Sequence, residues 1–238
     1  VPSSGTIAKP NYTLNTIVAE ALCQIADRLE KATDLDSEVQ ALLKELVNDH
    51  KKVIFNGNNY SDEWVEEAEK RGLPNIKSMV EAAKVLLDEK NISVFEKHCV
   101  LSKAELESRY EVMLENYAKI INIEALTTLE MARRDILPAA ISFASVVADS
   151  INSIKATGLT VDTSAQSELL DELSFTTASF KKKIKALEAA LEKAASLEEK
   201  DLYAHALSYK DDVFTAMNEL RADGDKLETI VDSDFWPF

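Results

Sequence analysis

The side chains best suited to acid–base or metal chemistry are few and scattered. Three histidines, His50, His98 and His205, lie far apart in different predicted helices. No Glu-x-x-His pair accompanies any of them, so the carboxylate–histidine ligand set of a helical metal bundle lacks its minimum. Each histidine is read as a surface or boundary residue. Cys99 follows His98, but sequence neighbours on a helix do not form the oriented pair that activates a thiol. The Asn56-Gly57 turn lacks the Lys-Ser/Thr and the strand-to-helix setting of a phosphate loop. No Ser or Cys stands in a nucleophile motif. Glu124, in the apolar stretch Ile-Asn-Ile-Glu-Ala-Leu, has Arg133 and Arg134 two to three turns on; a structural ion pair or exposure is expected there. The run Lys181, Lys182 and Lys183 is read as a solvated face. Catalytic, cofactor-binding and metal sites are therefore all assigned as none.

Composition narrows the class. There are 27 Lys and Arg against 42 Asp and Glu, a net charge of −15. Nucleic acids and anionic membranes bind through cationic groups, so neither is an expected partner. Only 5 Gly and 5 Pro accompany 46% apolar residues, which predicts a predominantly helical protein. Two cysteines without metal spacing, Cys23 and Cys99, and no signal peptide suit a reduced, cytoplasmic protein. Sequons at Asn11, Asn59 and Asn91 carry no meaning without secretion. The longest apolar run, Ile136 to Ala148, is too short to cross a bilayer and contains Pro138, so it is expected to be buried core helix. A start at Val1 without Met and an end on Phe-Trp-Pro-Phe suggest a fragment.

Helix punctuation is dense. Thr13 is expected to cap a first helix to about Ala32, with Leu14, Ile17, Val18, Ala21, Leu22, Ile25 and Leu29 on one core-facing stripe. Asp36 is expected to cap a second helix carrying Val39, Leu42, Leu43, Leu46 and Val47. Ser61 starts a short third helix that Gly72 ends and Pro74 cannot continue. Asn75 is placed as the cap of a fourth. Ser102 and Glu105 form a capping box that opens a long helix to about Thr157. Leu106, Tyr110, Met113, Tyr117 and Ile120 form its packing seam. Pro138 removes a backbone bond and crowds the carbonyl of Arg134, predicting a kink or short break.

Two further boxes, Thr163 with Gln166 and Ser196 with Glu199, open helices joined by almost no loop. They must fold back as an antiparallel hairpin over residues 163–231. Leu169, Leu173, Phe180, Ile184, Leu187 and Leu191 line one arm; Leu202, Tyr209, Val213, Ala216, Leu220 and Leu227 line the other. Phe175, Phe214 and Met217 add apolar surface, predicting that one flank packs on the helices before Gly158 while the charged stretch 181–200 projects into solvent. The fold class is all-α: a multi-helix bundle with a long kinked helix and a C-terminal antiparallel helical hairpin.

One stretch departs from this pattern. "VIFNGNNYSDEWVEEAEKRGLPN", Val53 to Asn75, sets an apolar triplet before an Asn-rich turn, then a Trp in a short acidic helix. It reads either as a docking insertion presenting Phe55, Tyr60 and Trp64, or as three aromatics that close one end of the bundle.

That stretch, with "FEKHCVLSKAELESRYEVMLENYAKIINIEAL" at Phe95 to Leu126 and "DILPA" at Asp135 to Ala139, resembles the C-terminal region of type III glutamine synthetases, the large bacterial form. "VPSSGTIAKPNYTLNTIVAEAL" is similar to the end of that family's catalytic domain, where a Glu-Phe-Arg strand leads into a closing helix. "VDSDFWPF" resembles the family's last residues. The resemblance covers nearly the whole chain and is sharpest over the first 140 residues. It departs at Cys99, where the family pattern leads one to expect Gly, and across Ile76 to Ala83, a loose match.

The resemblance implies ATP-dependent ligation of ammonia to glutamate through a glutamyl phosphate, with Mg or Mn neutralising phosphoryl charge. The family's metal-binding Glu and His and phosphate-binding Arg residues would lie upstream of Val1, so none maps onto this chain. Residues 1–32 would end the catalytic domain and 33–238 would form a C-terminal helical domain. No cofactor is expected in these residues themselves. The upstream catalytic domain and neighbouring subunits of a ring-shaped homo-oligomer are the implied partners, and the chain alone is expected to be inactive. A freestanding helical adaptor working through its hairpin is the alternative, and a metal-dependent bundle enzyme a third reading.

Overall fold

The computed structural model describes residues 6–197 and 201–238. Among the described residues every regular element is helical. Contacts divide the chain into two compact units, Val1–Tyr110 and Glu111–Phe238.

The first unit is built from short helices. α1 (Ala8–Leu29) and α2 (Leu35–His50) are joined by a tight turn that Arg28 clamps, its Nε 2.6 Å from Glu38 and its Nη1 2.7 Å from Glu45. α3 (Asp62–Lys70), α4 (Met79–Val85) and α5 (Glu89–Lys97) follow. Phe95 and Leu101 bury with Leu106, the latter in the first turns of α6 (Lys103–Met131). Tyr12 adds its ring edge-on to Phe95 at 6.1 Å.

Caps set several of these boundaries away from the expected residues. α1 begins at Ala8 rather than after Thr13, because Pro10 is tolerated in a first turn, where its missing N–H has no partner to lose. Asp34 rather than Asp36 stands at the N-cap position of α2, its carboxylate accepting from the Ser37 hydroxyl, and α4 is capped by Ser78 rather than Asn75. The Ser78 hydroxyl accepts from the Glu81 N–H at 3.3 Å and donates to its carboxylate at 2.6 Å. The Ser102–Glu105 box forms as expected: the Ser102 N–H donates to Glu105 at 2.8 Å and the Glu105 N–H to Ser102 Oγ at 3.3 Å.

The stripe of α1 expected to face a core is only partly covered, with Ile25 and Leu29 half-buried. Thr16 is the residue of α1 that is buried, whereas Leu14, Ile17, Val18 and Leu22 are exposed.

The second unit holds the large core. α6 passes through a π-helical turn, Ala132–Ile136, into α7 (Leu137–Ala156). The interruption expected from Pro138 thus takes the form of a wider turn just ahead of the ring, which moves the backbone it would otherwise crowd. Of the expected seam of α6, Leu106 is buried, Tyr110, Met113 and Tyr117 are half-buried and Ile120 faces outward; the fully buried line continues through Leu114, Ala118, Ile121, Ala125 and Leu129. With the turn included, Lys103–Ala156 is one helix of 54 residues, long and apolar enough by length and composition to cross a membrane. The apolar run around Pro138 is core on one stripe only: Ala140, Val147 and Ile151 are buried, Ile141 and Val146 exposed.

α8 (Ser164–Ala195) and α10 (Phe214–Ile230) pair antiparallel, with α9 (Leu202–Ser208) and a second π turn, Tyr209–Val213, between them. The register shows in three cross-arm ion pairs: Lys193–Asp212 and Lys183–Asp223 at 2.8 Å, and Glu172–Lys226 at 3.0 Å. Leu173, Phe180, Ile184, Leu187 and Leu191 meet Tyr209, Val213, Leu220 and Leu227 in one core with Ala118, Ile121, Ala125 and Leu129. The flank expected to pack on the preceding helices does so, through α7 against α8.

The stretch 181–197 does not project. Ile184, Leu187, Leu191 and Ala194 are buried and Glu188 pairs with Arg133, because the apolar stripe continues through the lysine-rich segment. Phe175, at 77% exposed, lies outside the seam. The Thr163–Gln166 box is replaced by Asp162, whose carboxylate accepts from the Ser164 N–H at 2.9 Å. Ser196 ends α8, and Glu199 lies outside the described residues. Asp201 caps α9, accepting from the N–H groups of Tyr203 and Ala204.

Candidate functional site

The atypical stretch between α2 and α4 forms a self-contained insertion. A short 3-10 turn, Lys51–Val53, leads out of α2, and the chain then bends through Asn56 and Gly57. Gly57 passes close to the Phe55 ring: a Cβ there would lie 2.6 Å from it, so a larger residue would push the ring aside. Asn58 organises the next turn, its side-chain oxygen accepting from the Tyr60 N–H at 3.0 Å and its carbonyl from Ser61 Oγ at 2.7 Å. Ser61 then sits at the N-terminus of α3, although its hydroxyl is spent on Asn58 and does not cap the helix. Asp62 and Glu63 in the first turn favour the positive helix end.

α3 ends in a Schellman motif. Gly72 takes the left-handed conformation at φ 69°, the Leu73 N–H reaches the Ala68 carbonyl at 2.9 Å, and the Gly72 N–H reaches Glu69 at 2.9 Å. That turn delivers Arg71 back across the insertion. Its Nε pairs with Glu67 at 2.6 Å, while Nη1 donates to the carbonyls of Ile54 and Lys52 at 2.8 and 3.1 Å. The guanidinium also lies 5.6 Å from the Trp64 ring centre, and Trp64 stacks on Phe55 at 4.7 Å and 31°. A cation over an indole and a stacked aromatic pair are each worth about 0.5 to 1.5 kcal/mol.

Of the three expected docking residues, the structure joins Phe55 and Trp64 and leaves Tyr60 apart. The pair is half-buried and holds the loop to α3, whereas Tyr60 is 98% exposed. Val53, Ile54 and Val65 add exposed apolar surface, and Glu63, Glu66 and Glu69 are exposed along α3. Arg71, the residue that ties the insertion together, carries no signal in its local sequence, since its partners lie up to 19 positions away.

The groups singled out for reactivity stay apart. His205 is buried edge-on against Tyr209 at 5.1 Å, not at the surface as expected, because its turn of α9 faces α8. Glu124 is exposed and does not pair with the arginines as one option anticipated: Arg134 binds Glu130 and Arg133 binds Glu188, each nearer on its own helix face or across the core. His98 contacts Glu20 at 2.7 Å, and Lys97 reaches the same carboxylate at 2.8 Å, linking α5 to α1. Lys97, then Gln24 and His98, by hydrogen bonding, hold the Glu20 carboxyl down to about 2.

Among the described residues no group of three or more His, Cys, Asp or Glu could hold a metal ion. A groove of about 560 Å³ between α6 and α10 is floored by Phe180 and lined mainly by apolar side chains such as Met131, Met217 and Trp236. It presents no nucleophile beside a base.

Helices, a self-tied acidic insertion and an apolar hairpin core define the class among the described residues as all-helical. Residues 38–155 match the family model described as "Glutamine synthetase C-terminal domain", and the chain belongs to that family. The glutamine synthetase of Butyrivibrio fibrisolvens is 36% identical over 199 residues, covering 83% of this chain and 28% of the relative. The type-3 glutamine synthetase of Dictyostelium discoideum is 35% identical over 244 aligned residues, covering 100% of this chain and 33% of the relative. The chain thus spans about a third of the length of the curated relatives it matches.

Proposed function

We propose that this chain serves as the C-terminal helical portion of a cytoplasmic type III glutamine synthetase, contributing structure and assembly to an enzyme that ligates ammonia to glutamate at the expense of ATP. The family match over residues 38–155 is the observation that carries this reading. On it, residues 1–32 close the catalytic domain and 33–238 form the helical domain. The partners are that catalytic domain and neighbouring subunits of a homo-oligomer. Tyr60, held out by the Phe55–Trp64–Arg71 stack, is the insertion's contact residue, and its acidic surroundings suit a basic partner face.

ATP and a divalent cation, Mg or Mn, would supply glutamyl phosphate chemistry in the full enzyme. The described residues do not fit those groups: they offer neither a carboxylate–histidine ligand set nor a backbone cradle for phosphate. The residues here therefore hold partners, and no step of the reaction is assigned to them. The test replaces the aligned third of the Dictyostelium type-3 enzyme with this chain. Glutamine formation by the chimera supports the reading, and a folded chimera without activity contradicts it.

A further inference from the structure

Asn56-Gly57 is the one Asn-Gly pair in the sequence, and both residues lie exposed on the bend of the insertion. Gly57 is not there for its backbone angle: among the described residues the glycines with positive φ are Gly72 and Gly158. What the position needs is room, because a Cβ would lie 2.6 Å from the Phe55 ring. Room for Phe55 is also room for chemistry, since an amide nitrogen whose residue has no side chain is the least shielded kind. Among the described residues neither the Asn56 side chain nor the Gly57 N–H has a hydrogen-bond partner, so no bond holds the two groups apart.

We propose that Asn56 is a self-modifying site, at which the Gly57 nitrogen displaces the side-chain amide and converts the asparagine to isoaspartate and aspartate. The Gly57 nitrogen gives its proton to solvent and attacks Asn56 Cγ; the Cγ–Nδ2 bond breaks, and ammonia leaves after taking up a proton. The product is a cyclic imide, to which water adds. Attack of water at Cγ breaks the new bond and yields aspartate. Attack at the main-chain carbonyl breaks the original peptide bond and yields isoaspartate, whose backbone runs through Cβ and Cγ and is one atom longer.

The rest of the chain shows why the reaction is confined to this pair. In the helices the amide after each asparagine is already committed to the carbonyl one turn back. Asn58, Asn59 and Asn75 are followed by Asn, Tyr and Ile, whose side chains shield the nitrogen, and Asn58 is tied to the Tyr60 N–H at 3.0 Å. Asp223-Gly224, the corresponding acidic pair, lies within α10, with Asp223 held by Lys183 at 2.8 Å and Gly224 buried. The consequence falls on the insertion. Phe55 stacks on Trp64, and Arg71 binds the carbonyls of Lys52 and Ile54, so an extra backbone atom and a new carboxylate at residue 56 loosen that tie.

The test holds the purified 238-residue chain at mildly alkaline pH, with and without urea. Peptides are then read by mass spectrometry with fragmentation that separates isoaspartate from aspartate. In the folded chain Asn56 is expected to convert at least about tenfold faster than any other asparagine, and within about threefold of its own rate in urea. Both products are expected, and the rate falls at mildly acidic pH because the attacking nitrogen must lose its proton. Asn56→Gln, which keeps a neutral amide but would have to close a larger ring, is expected to stay unmodified. Hydrogen exchange over residues 52–60 is then compared between the aged parent and the Asn56→Gln chain aged beside it, with faster exchange expected in the parent. Conversion in urea but not in the folded chain, or another asparagine converting first, overturns the site. Equal exchange in the two aged chains overturns its effect on the insertion.

Discussion

Cys99 occupies a position made for glycine. α5 ends in the same hydrogen-bond pattern as α3, with the Val100 N–H reaching the Phe95 carbonyl and the Cys99 N–H that of Glu96, both at 3.0 Å, and Cys99 takes φ 52°. A side chain in this left-handed region costs about 1 to 2 kcal/mol, and glycine returns part of that in the entropy of the unfolded chain. Cys99→Gly is therefore expected to raise stability by about 0.5 to 1 kcal/mol, read from urea midpoints at unchanged slope. A loss would show that the thiol has a packing role. The resemblance to a glycine-bearing family pattern marked this residue from sequence, but the strain itself required the backbone. Glu20 gives a pH signature. Its folded-state pKa is depressed from 4.5 to about 2, so the stability it contributes is present in full above the ordinary carboxylate range. That contribution is lost as pH falls from 4.5 toward 2. Glu20→Gln should flatten the pH dependence of the melting temperature in that window; a variant as pH-sensitive as the parent would mean the Lys97–His98 contact contributes nothing.

The helices that bury a stripe were legible in their 3–4 spacing; the helices that do not were misread for the same reason. The hairpin seam of Leu173, Phe180, Ile184, Leu187 and Leu191 lies where periodicity puts it, and Leu187→Asp should cost about 3 kcal/mol or more by burying an unpaired charge, whereas Lys182→Asp stays within about 0.5. Equal responses in chemical denaturation would mean that the seam is misplaced. On α1 the same spacing marks a face that its own unit covers only in part, because periodicity records that a stripe is destined for burial and not by whom. The second π turn, Tyr209–Val213, had no Pro or Gly to announce it; it accompanies a bond from the Tyr209 hydroxyl to Asn122 at 3.1 Å, a contact 87 residues apart. The insertion depends on a similarly distant tie. Arg71→Met should loosen residues 52–60 in hydrogen exchange and cost about 1 kcal/mol, while Arg134→Met, at an exposed i,i+4 pair, changes little. Indistinguishable exchange in the two variants would remove Arg71 as the clamp.

Taken together, the protein is a pair of helical units that finish themselves on one side and leave apolar side chains open on another. Leu14, Ile17 and Val18 in the first unit, and Ile120, Ile123 and Leu126 in the second, are all more than half exposed. The resemblance in sequence and the family match agree on the glutamine synthetase C-terminal domain. That His50, His98 and His205 belong to three separate helical segments was legible in the sequence. Where those side chains would settle was not, since burial of His205 and the pairing of Arg133 with Glu188 are decided by tertiary packing. The most direct measurement is glutamine formation from glutamate, ammonia and ATP with Mg, assayed side by side on the purified 238-residue chain and on its chimera with the Dictyostelium enzyme. The expected result is no product from the chain alone and sustained turnover from the chimera; turnover by the isolated chain, or none from a folded chimera, would contradict the assignment of these residues to support rather than chemistry.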